Sequence, residues 1–358
     1  MTLAQIDLLP AEGAQWSKLL ERLPHDIYHT PAYHSIPGFG QTGRPWLFAY
    51  TEGDRPFLWP YLLTPIAGTG GWHDVRSVYG YSGPLTTAEP AFLARAWRAL
   101  ADHWQRQNVV SAFTRFHPLL GNGPLIAGID DAAAGGVHAY GATVSIDLAR
   151  PLESQPRSYN KKLRQEIRKA REAGLATIED SGWVHTDAFV ALYQETMLRR
   201  SSRPEYVIDR AWVDHFRERL GASAHLFVTT GSDGTVAAAM IVLAYRPFVH
   251  CHLIGTAAAF AGESPSKLLL DDVRIWGTRN GYQTMHLGGG LGGREDSLFG
   301  FKRRFSPCTQ PFYTGSWILN EPRYRELEAA HRARLGAVGI PVADIPFFPA
   351  YRYTPHAD

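Results

Sequence analysis

Residues 248–287 read FVHCHLIGTAAAFAGESPSKLLLDDVRIWGTRNGYQTMHL, and the order of elements in this stretch decides the fold. Residues 248–255 are an apolar run of strand length. Residues 265–280 carry a helical period, with Leu268, Leu269, Val273 and Trp276 on one side. Gly281 stands where a helix needs a left-handed residue beyond its C-terminus, and residues 282–287 follow as another strand. Upstream, residues 226–230 and 236–245 flank the turn Gly231-Ser232-Asp233-Gly234, the pattern of a hairpin. The stretch therefore predicts an antiparallel meander, one helix, and a strand that returns parallel to the last.

The first half of the chain uses the same order. Residues 45–50 and 56–63 flank Thr51-Glu52-Gly53-Asp54, and residues 74–79 form a strand that stops at Gly80. Residues 89–107 make an amphipathic helix, with Phe92, Ala96, Ala99, Leu100 and Trp104 on one face, and residues 109–116 a further strand. This is the plan of an acetyltransferase-type fold, in which the two parallel strands splay apart and the opening holds an acyl donor. The expected class is α/β with mixed sheets: two tandem acetyltransferase (GNAT)-like domains. Residues 1–152 form the first, and residues 153–358 a basic linker helix plus the second.

Gross composition fits a globular protein, with 45% hydrophobic and 20% charged residues. A net charge of +2 gives no global argument for nucleic acid, so local charge must carry that case. Cys251 and Cys308 have neither metal-type spacing nor a disulfide framework, as expected in a reducing cytoplasm. The opening MTLAQIDLLP lacks the features of a signal peptide, and no apolar run approaches the roughly 20 residues of a membrane span.

Two segments suggest a site. After residues 282–287 the chain passes through Gly288, Gly289 and Gly290, then Gly292 and Gly293, leaving the backbone open to an extended ligand. Asp296 and Ser297 then start a short helix bearing Lys302, Arg303 and Arg304 between Phe301 and Phe305. Residues 157–174, RSYNKKLRQEIRKAREAG, place Leu163, Ile167 and Ala170 on one stripe, with Lys161, Lys162, Arg164, Arg168, Lys169 and Arg171 around it. Such a helix is either a solvated face or a ridge that binds phosphate or RNA.

These landmarks resemble the Fem-type aminoacyltransferases, two fused acetyltransferase-type domains that transfer an amino acid from aminoacyl-tRNA to an amine. The matching pieces are DIYHTPAYHSI (26–36), VYGYSGPL (78–85), SAFTRFHPLL (111–120), NKKLRQEIRKAREAGL (160–175), LYQETMLRR (192–200), HCHLIGTA (250–257) and HLGGG with LFGFKRRF. Their order and spacing carry the likeness. Two differences stand out: His117 occupies a position that is often acidic in tRNA-dependent members, and the long coiled-coil arm of some members is absent.

The resemblance implies an aminoacyl-tRNA co-substrate, no further cofactor, and an amine acceptor such as a peptidoglycan precursor, a small molecule or a protein N-terminus. It places Lys302, the lysine of the family's FxFK-like helix, beside the reacting carbonyl as the stabilising cation. It also places Arg199 and Tyr206 near the acceptor. Phe301 and the glycines 288–290 belong to the same substrate region. Tyr79, Tyr81 and Arg115 fall at the ends of adjacent strands of the first half, and Arg115 and His117 alternate on one strand, so they share a face. Lys161, Lys162, Arg164, Arg168, Arg303 and Arg304 are the phosphate candidates.

Other motifs do not hold. His250, His252 and His286 lack a completing carboxylate or thiolate, so no metal site is expected. Gly80-Tyr81-Ser82-Gly83 is one residue short of a nucleophile elbow. The alternative donor is an acyl-coenzyme A, cradled by a glycine-rich loop at a helix start. Here that loop, residues 259–267, has one glycine, Glu263 and Pro265, which suit a pyrophosphate poorly.

Overall fold

A computed structural model of the protein describes residues 4–39, 42–87, 89–129, 134–200, 206–340, 345 and 347–355. The chain opens with β1 (Ala4–Pro10), α1 (Gln15–Leu20) and α2 (Pro31–His34), then β2 (Arg44–Glu52), β3 (Arg55–Pro65) and β4 (His73–Arg76). Next come α3 (Pro90–Arg106), β5 (Val109–Arg115), α4 (Gly123–Ile126) and β6 (Ala134–Asp147). The second half runs through α5 (Lys161–Glu172), β7 (Ala176–Glu179), α6 (Thr186–Arg199), α7 (Arg210–Leu220), β8 (Ala224–Thr230), β9 (Val236–Tyr245) and β10 (Phe248–Thr256). It ends with α8 (Pro265–Arg279), β11 (Thr284–Gly289), α9 (Ser297–Arg303), β12 (Thr309–Ile318) and α10 (Glu321–Ala337).

Two compact units result. One holds Met1–Pro37, Gln41–Ala139 and Phe312–Asp358; the other holds Gly38–Gly40 and Tyr140–Pro311. In the first, the strand order is β1-β2-β3-β4-β5-β12; in the second it is β7-β8-β9-β10-β11-β6. The senses match step for step. β4 pairs parallel with β5, and β10 pairs parallel with β11, while the other neighbours in both series whose pairing is resolved are antiparallel. The two strands after the helices, residues 109–116 and 282–287 in the sequence reading, thus occupy equivalent positions.

The sixth strand of each series is where chain order and unit part company. β6 follows the helices of the first unit and pairs with β11; β12 follows α9 and pairs with β5. The sequence reading drew one boundary at 152/153, whereas the units divide at 139/140 and 311/312. The cause is this pairing, which returns the chain from Phe312 onward to the first unit.

Local signals explain the element ends. At the end of α8, the Tyr282 N–H donates to the Gly277 carbonyl at 3.0 Å and the Gly281 N–H to that of Thr278 at 3.1 Å, with Gly281 at φ +75°. This cap consumes Tyr282, so β11 begins at Thr284 rather than at 282. Asn160 caps α5, accepting the Leu163 N–H at 2.8 Å, so the basic helix is shorter than residues 157–174. Leu163, Ile167 and Ala170 are buried on it, as their spacing predicts. They join Leu268, Leu269, Val273, Met285 and Leu287 in the second unit's core. In the first unit Phe92, Ala96, Leu100 and Trp104 of α3 pack on Phe48, Trp59 and Trp317. No helix among the described residues is long and apolar enough to cross a membrane.

Candidate active site

The second unit contains the opening that its topology predicts. β10 and β11 pair in parallel only over Phe248–Thr284, Val249–Met285 and His250–His286. Beyond that point β10 follows β9 through an irregularity between Cys251 and Leu253, and β11 follows β6 through another between His286 and Gly288. Two bulges at the same level peel the strands apart, which is a common use of a bulge beside a site.

Lys302 reaches into this region from α9. Its Nζ donates to the Gly289 carbonyl at 2.6 Å, which spends one of its three donors and fixes the direction of the other two. Burial lowers its ammonium to about 8; the Arg200 guanidinium acts the same way, while Cys251 and Asp296 oppose them. Burial also pushes the Cys251 thiol up to about 12. Lys302 is therefore a partly desolvated lysine that holds its proton less firmly than an exposed lysine does.

The glycine turn is fastened to the same helix. Asp296, the N-cap of α9, accepts the Phe299 N–H at 2.9 Å and the Leu291 N–H at 3.0 Å. Gly290 is glycine for a steric reason: a Cβ there would lie 2.0 Å from the Arg294 carbonyl and 2.4 Å from Asp296 Oδ1. Phe301 packs against the core and meets the Phe305 ring edge-on at 5.6 Å. Lys302, Phe301 and glycines 288–290 thus come together.

The other candidates are distributed as follows. Arg199 donates to the Thr256 carbonyl at the end of β10 and to Thr196 Oγ1 at 3.2 Å. The Tyr206 ring lies 5.9 Å from that of Phe39, and residues 201–205 of the same stretch lie outside the described residues. On α5, Lys161, Lys162 and Arg168 are exposed, the last paired with Glu172 at 3.5 Å. Arg164 donates to the Tyr159 carbonyl at 2.6 Å, Arg303 to that of Ser306 at 3.2 Å, and Arg304 pairs with Glu166. These three cations are engaged within the protein.

The remaining four candidates lie in the first unit, whose parallel strands do not open in the same way. The Ser77 N–H donates to Phe113, the Arg115 N–H to Ser77 Oγ, and the Ser82 N–H to Arg115, so the chain after β4 rejoins β5. The Tyr79 carbonyl accepts the Tyr33 hydroxyl at 2.8 Å. The Tyr81 ring lies edge-on to Tyr28, His117 and Phe312. The Arg115 guanidinium is 5.4 Å from the Phe113 ring centre.

His117 differs most from its sequence reading. β5 ends at Arg115, and His117 is buried beyond it with Nε2 2.6 Å from Asp26 Oδ2. The Leu120 N–H donates to its Nδ1 at 3.1 Å, so both ring nitrogens are engaged. Buried among Asp26, His29 and Tyr28, His117 orders the first unit's loops rather than sharing an open face with Arg115.

Sequence reasoning missed four groups. Asp26, Cys251 and Glu195 lie within the quoted stretches 26–36, 250–257 and 192–200 but were given no role, and Asp296 was legible only as a helix cap. Glu195 matters because its Oε1 accepts the Ala258 N–H at 3.0 Å, in the loop between β10 and α8. In the same loop the Phe260 N–H donates to Ala257 and the Lys267 N–H to Ser264. Lys267 itself is held by Ser264 Oγ at 2.8 Å and Glu166 at 3.2 Å.

Residues 157–303 match the family model described as an acetyltransferase (GNAT) domain. No curated protein sequence matches the chain. Among solved structures, FemX superposes with a TM-score of 0.66 at 10% identity, over 89% of this chain and 99% of its own. L-PGS from Bacillus licheniformis gives 0.56 at 13% identity, over 87% and 93%. A tandem GNAT protein from the clavulanic acid biosynthesis pathway gives 0.50 at 10% identity, over 89% and 99%. At these identities the likeness is one of fold. With its repeated strand order and its matched second unit, the chain has the Fem-like tandem GNAT fold.

Proposed function

We propose that this protein is an aminoacyltransferase that takes its acyl group from aminoacyl-tRNA and forms an amide on an amine acceptor. The coarser class, an acyltransferase, rests on the GNAT family model and the shared fold. The observation that carries the finer reading is the arrangement at the two ends of the second unit's opening. At one end Lys302 is half-buried and bonded to the half-buried end of β11. At the other, the loop that would have to cradle a pyrophosphate has its Ala258 N–H taken by a glutamate. A carboxylate there repels phosphate, which disfavours an acyl-coenzyme A donor.

The chemistry needs little more than these groups. The acceptor amine attacks the ester carbonyl, a C–N bond forms, and negative charge builds on the carbonyl oxygen. The two uncommitted N–H donors of Lys302 meet that charge. The C–O bond to the ribose then breaks, and the amine proton passes to the departing hydroxyl. Because the ester is already activated, no cofactor is required. The acceptor class is an amine, on a peptidoglycan precursor or a small molecule, and the tRNA co-substrate implies a cytoplasmic location.

On this reading α5 binds the tRNA backbone through its open cations. Replacing Lys161, Lys162 and Lys169 with Glu together is expected to weaken charged-tRNA binding. It should also flatten the dependence of log Kd on log salt by about one unit for each phosphate no longer neutralised. Filter binding between low and moderate salt measures both, and an unchanged slope would return α5 to a solvated face. Calorimetry with acetyl-coenzyme A is expected to show no saturable binding.

A further inference from the structure

Lys302 is tied to its surroundings by a closed circuit of bonds. Its Nζ meets the Gly289 carbonyl at the end of β11, two residues later the Leu291 N–H meets Asp296, and Asp296 opens the helix that bears Lys302. We propose that Asp296 is the positioning residue for Lys302: its carboxylate locks the glycine turn to α9 and supplies the counter-charge of the lysine ammonium. The consequence for catalysis rests on the reading of Lys302 given above.

Three observations support this assignment. Both carboxylate oxygens are used, one toward the turn and one toward the helix, so Asp296 bridges the two segments that must stay in register. The turn is pressed against it closely enough that position 290 excludes any Cβ. The charged neighbours of Lys302 then leave Asp296 a distinct task. Arg200 repels the ammonium, and Cys251 is a neutral thiol where Lys302 titrates. Arg303 and Arg304, on the same helix, are engaged with Ser306 and Glu166. Asp296, the cap of the helix that carries Lys302, is the carboxylate whose charge favours the Lys302 ammonium, and Arg294 acts on Asp296 in turn.

The test reads the lysine directly. The chain holds six lysines, Lys18, Lys161, Lys162, Lys169, Lys267 and Lys302, so protein labelled with carbon-13 at lysine Cε gives a small, assignable spectrum. The Lys302 signal is the one missing from the Lys302→Arg spectrum. Its midpoint is expected near 8 in the wild type. In Asp296→Asn it is expected to fall by roughly half a pH unit or more, with the other five midpoints unchanged. Gly290→Ala, whose Cβ displaces the carboxylate, is expected to shift it the same way. The wild type adds a readout that needs no variant: the Lys302 signal should show a second, small inflection in acid, as Asp296 takes up its proton. An unchanged Lys302 midpoint in a folded variant, or no acid inflection if neither variant folds, would overturn the proposal. No substrate enters the titration, so a shift found in a protein without transfer activity would retire the acyltransferase reading and keep this one.

Discussion

Lys302→Ala is expected to lower turnover by roughly 10²- to 10³-fold, the usual cost of losing one donor to a developing oxyanion. Substrate KM should change far less, because the interaction strengthens as charge develops. Lys302→Arg should recover only part of the rate, since a planar guanidinium does not reproduce three donors on a compact ammonium. The pH profile has a determined sign. The lysine's folded value, about 8, lies below the ordinary 10.5, so its useful charged form is lost as pH rises through about 8 and that limb of the rate profile should fall there. Stability runs oppositely: between about 8 and 10.5 the unfolded chain binds more protons at this site, so this group's contribution to stability grows with pH. Lys302→Ala should therefore keep or raise its thermal midpoint at neutral pH, and a large drop would point to a packing defect. Full activity in a stable variant would remove Lys302 from the mechanism.

Asp74→Ala is expected to produce the largest loss of stability in the first unit, about 3–5 kcal/mol, as for removing one partner of a buried charged pair. Asp74 is fully buried at the start of β4. It accepts Ser111 Oγ at 2.8 Å, the Tyr351 hydroxyl at 2.6 Å and Arg352 Nε at 2.5 Å. Arg352 also reaches the Pro65 carbonyl at 3.0 Å, so one carboxylate holds the C-terminal residues 351–352 against β3, β4 and β5. Alanine leaves Arg352 Nε without its carboxylate and leaves the Ser111 and Tyr351 hydroxyls, 3.2 Å apart, only each other. Denaturant unfolding followed by tryptophan fluorescence reads the change, because α3 and its partners carry Trp59, Trp97 and Trp104 in that core. Limited proteolysis should cut first near residues 350–355. A loss under about 1 kcal/mol would show that the C-terminal segment is held by its apolar packing instead.

The repeated part of the fold was legible because each element carries its own signal. The stripe of α8, its glycine stop, and the hairpin turns at Gly53 and Gly234 act within a few residues. β6 and β12 gave no such signal. β6 reads AGGVHAYGATVSID, with glycines interrupting any alternation, and β12 contains Pro311 and Gly315. Their stability comes from pairing with strands distant in sequence, which local patterns do not encode. The same holds at the site. The glycines, Lys302 and the cap at Asp296 were adjacent in sequence and could be read together. The lowered ammonium of Lys302 reflects its burial together with Cys251 and Arg200, which lie far from it in sequence, and His117 pairs with an aspartate 91 residues away. Charge type was visible; solvation was not.

Whether charged tRNA is the acyl donor is open to direct measurement. The protein is supplied with tRNA bearing radiolabelled amino acids and with a nucleic-acid-free cell extract as the source of amine acceptors. Label entering an amide-linked, base-stable product is then counted with and without prior ribonuclease. Enzyme-dependent transfer that ribonuclease abolishes, and that Lys302→Ala reduces, is the expected result. Transfer from acetyl-coenzyme A to the same acceptors, undiminished by ribonuclease, would contradict tRNA as the donor.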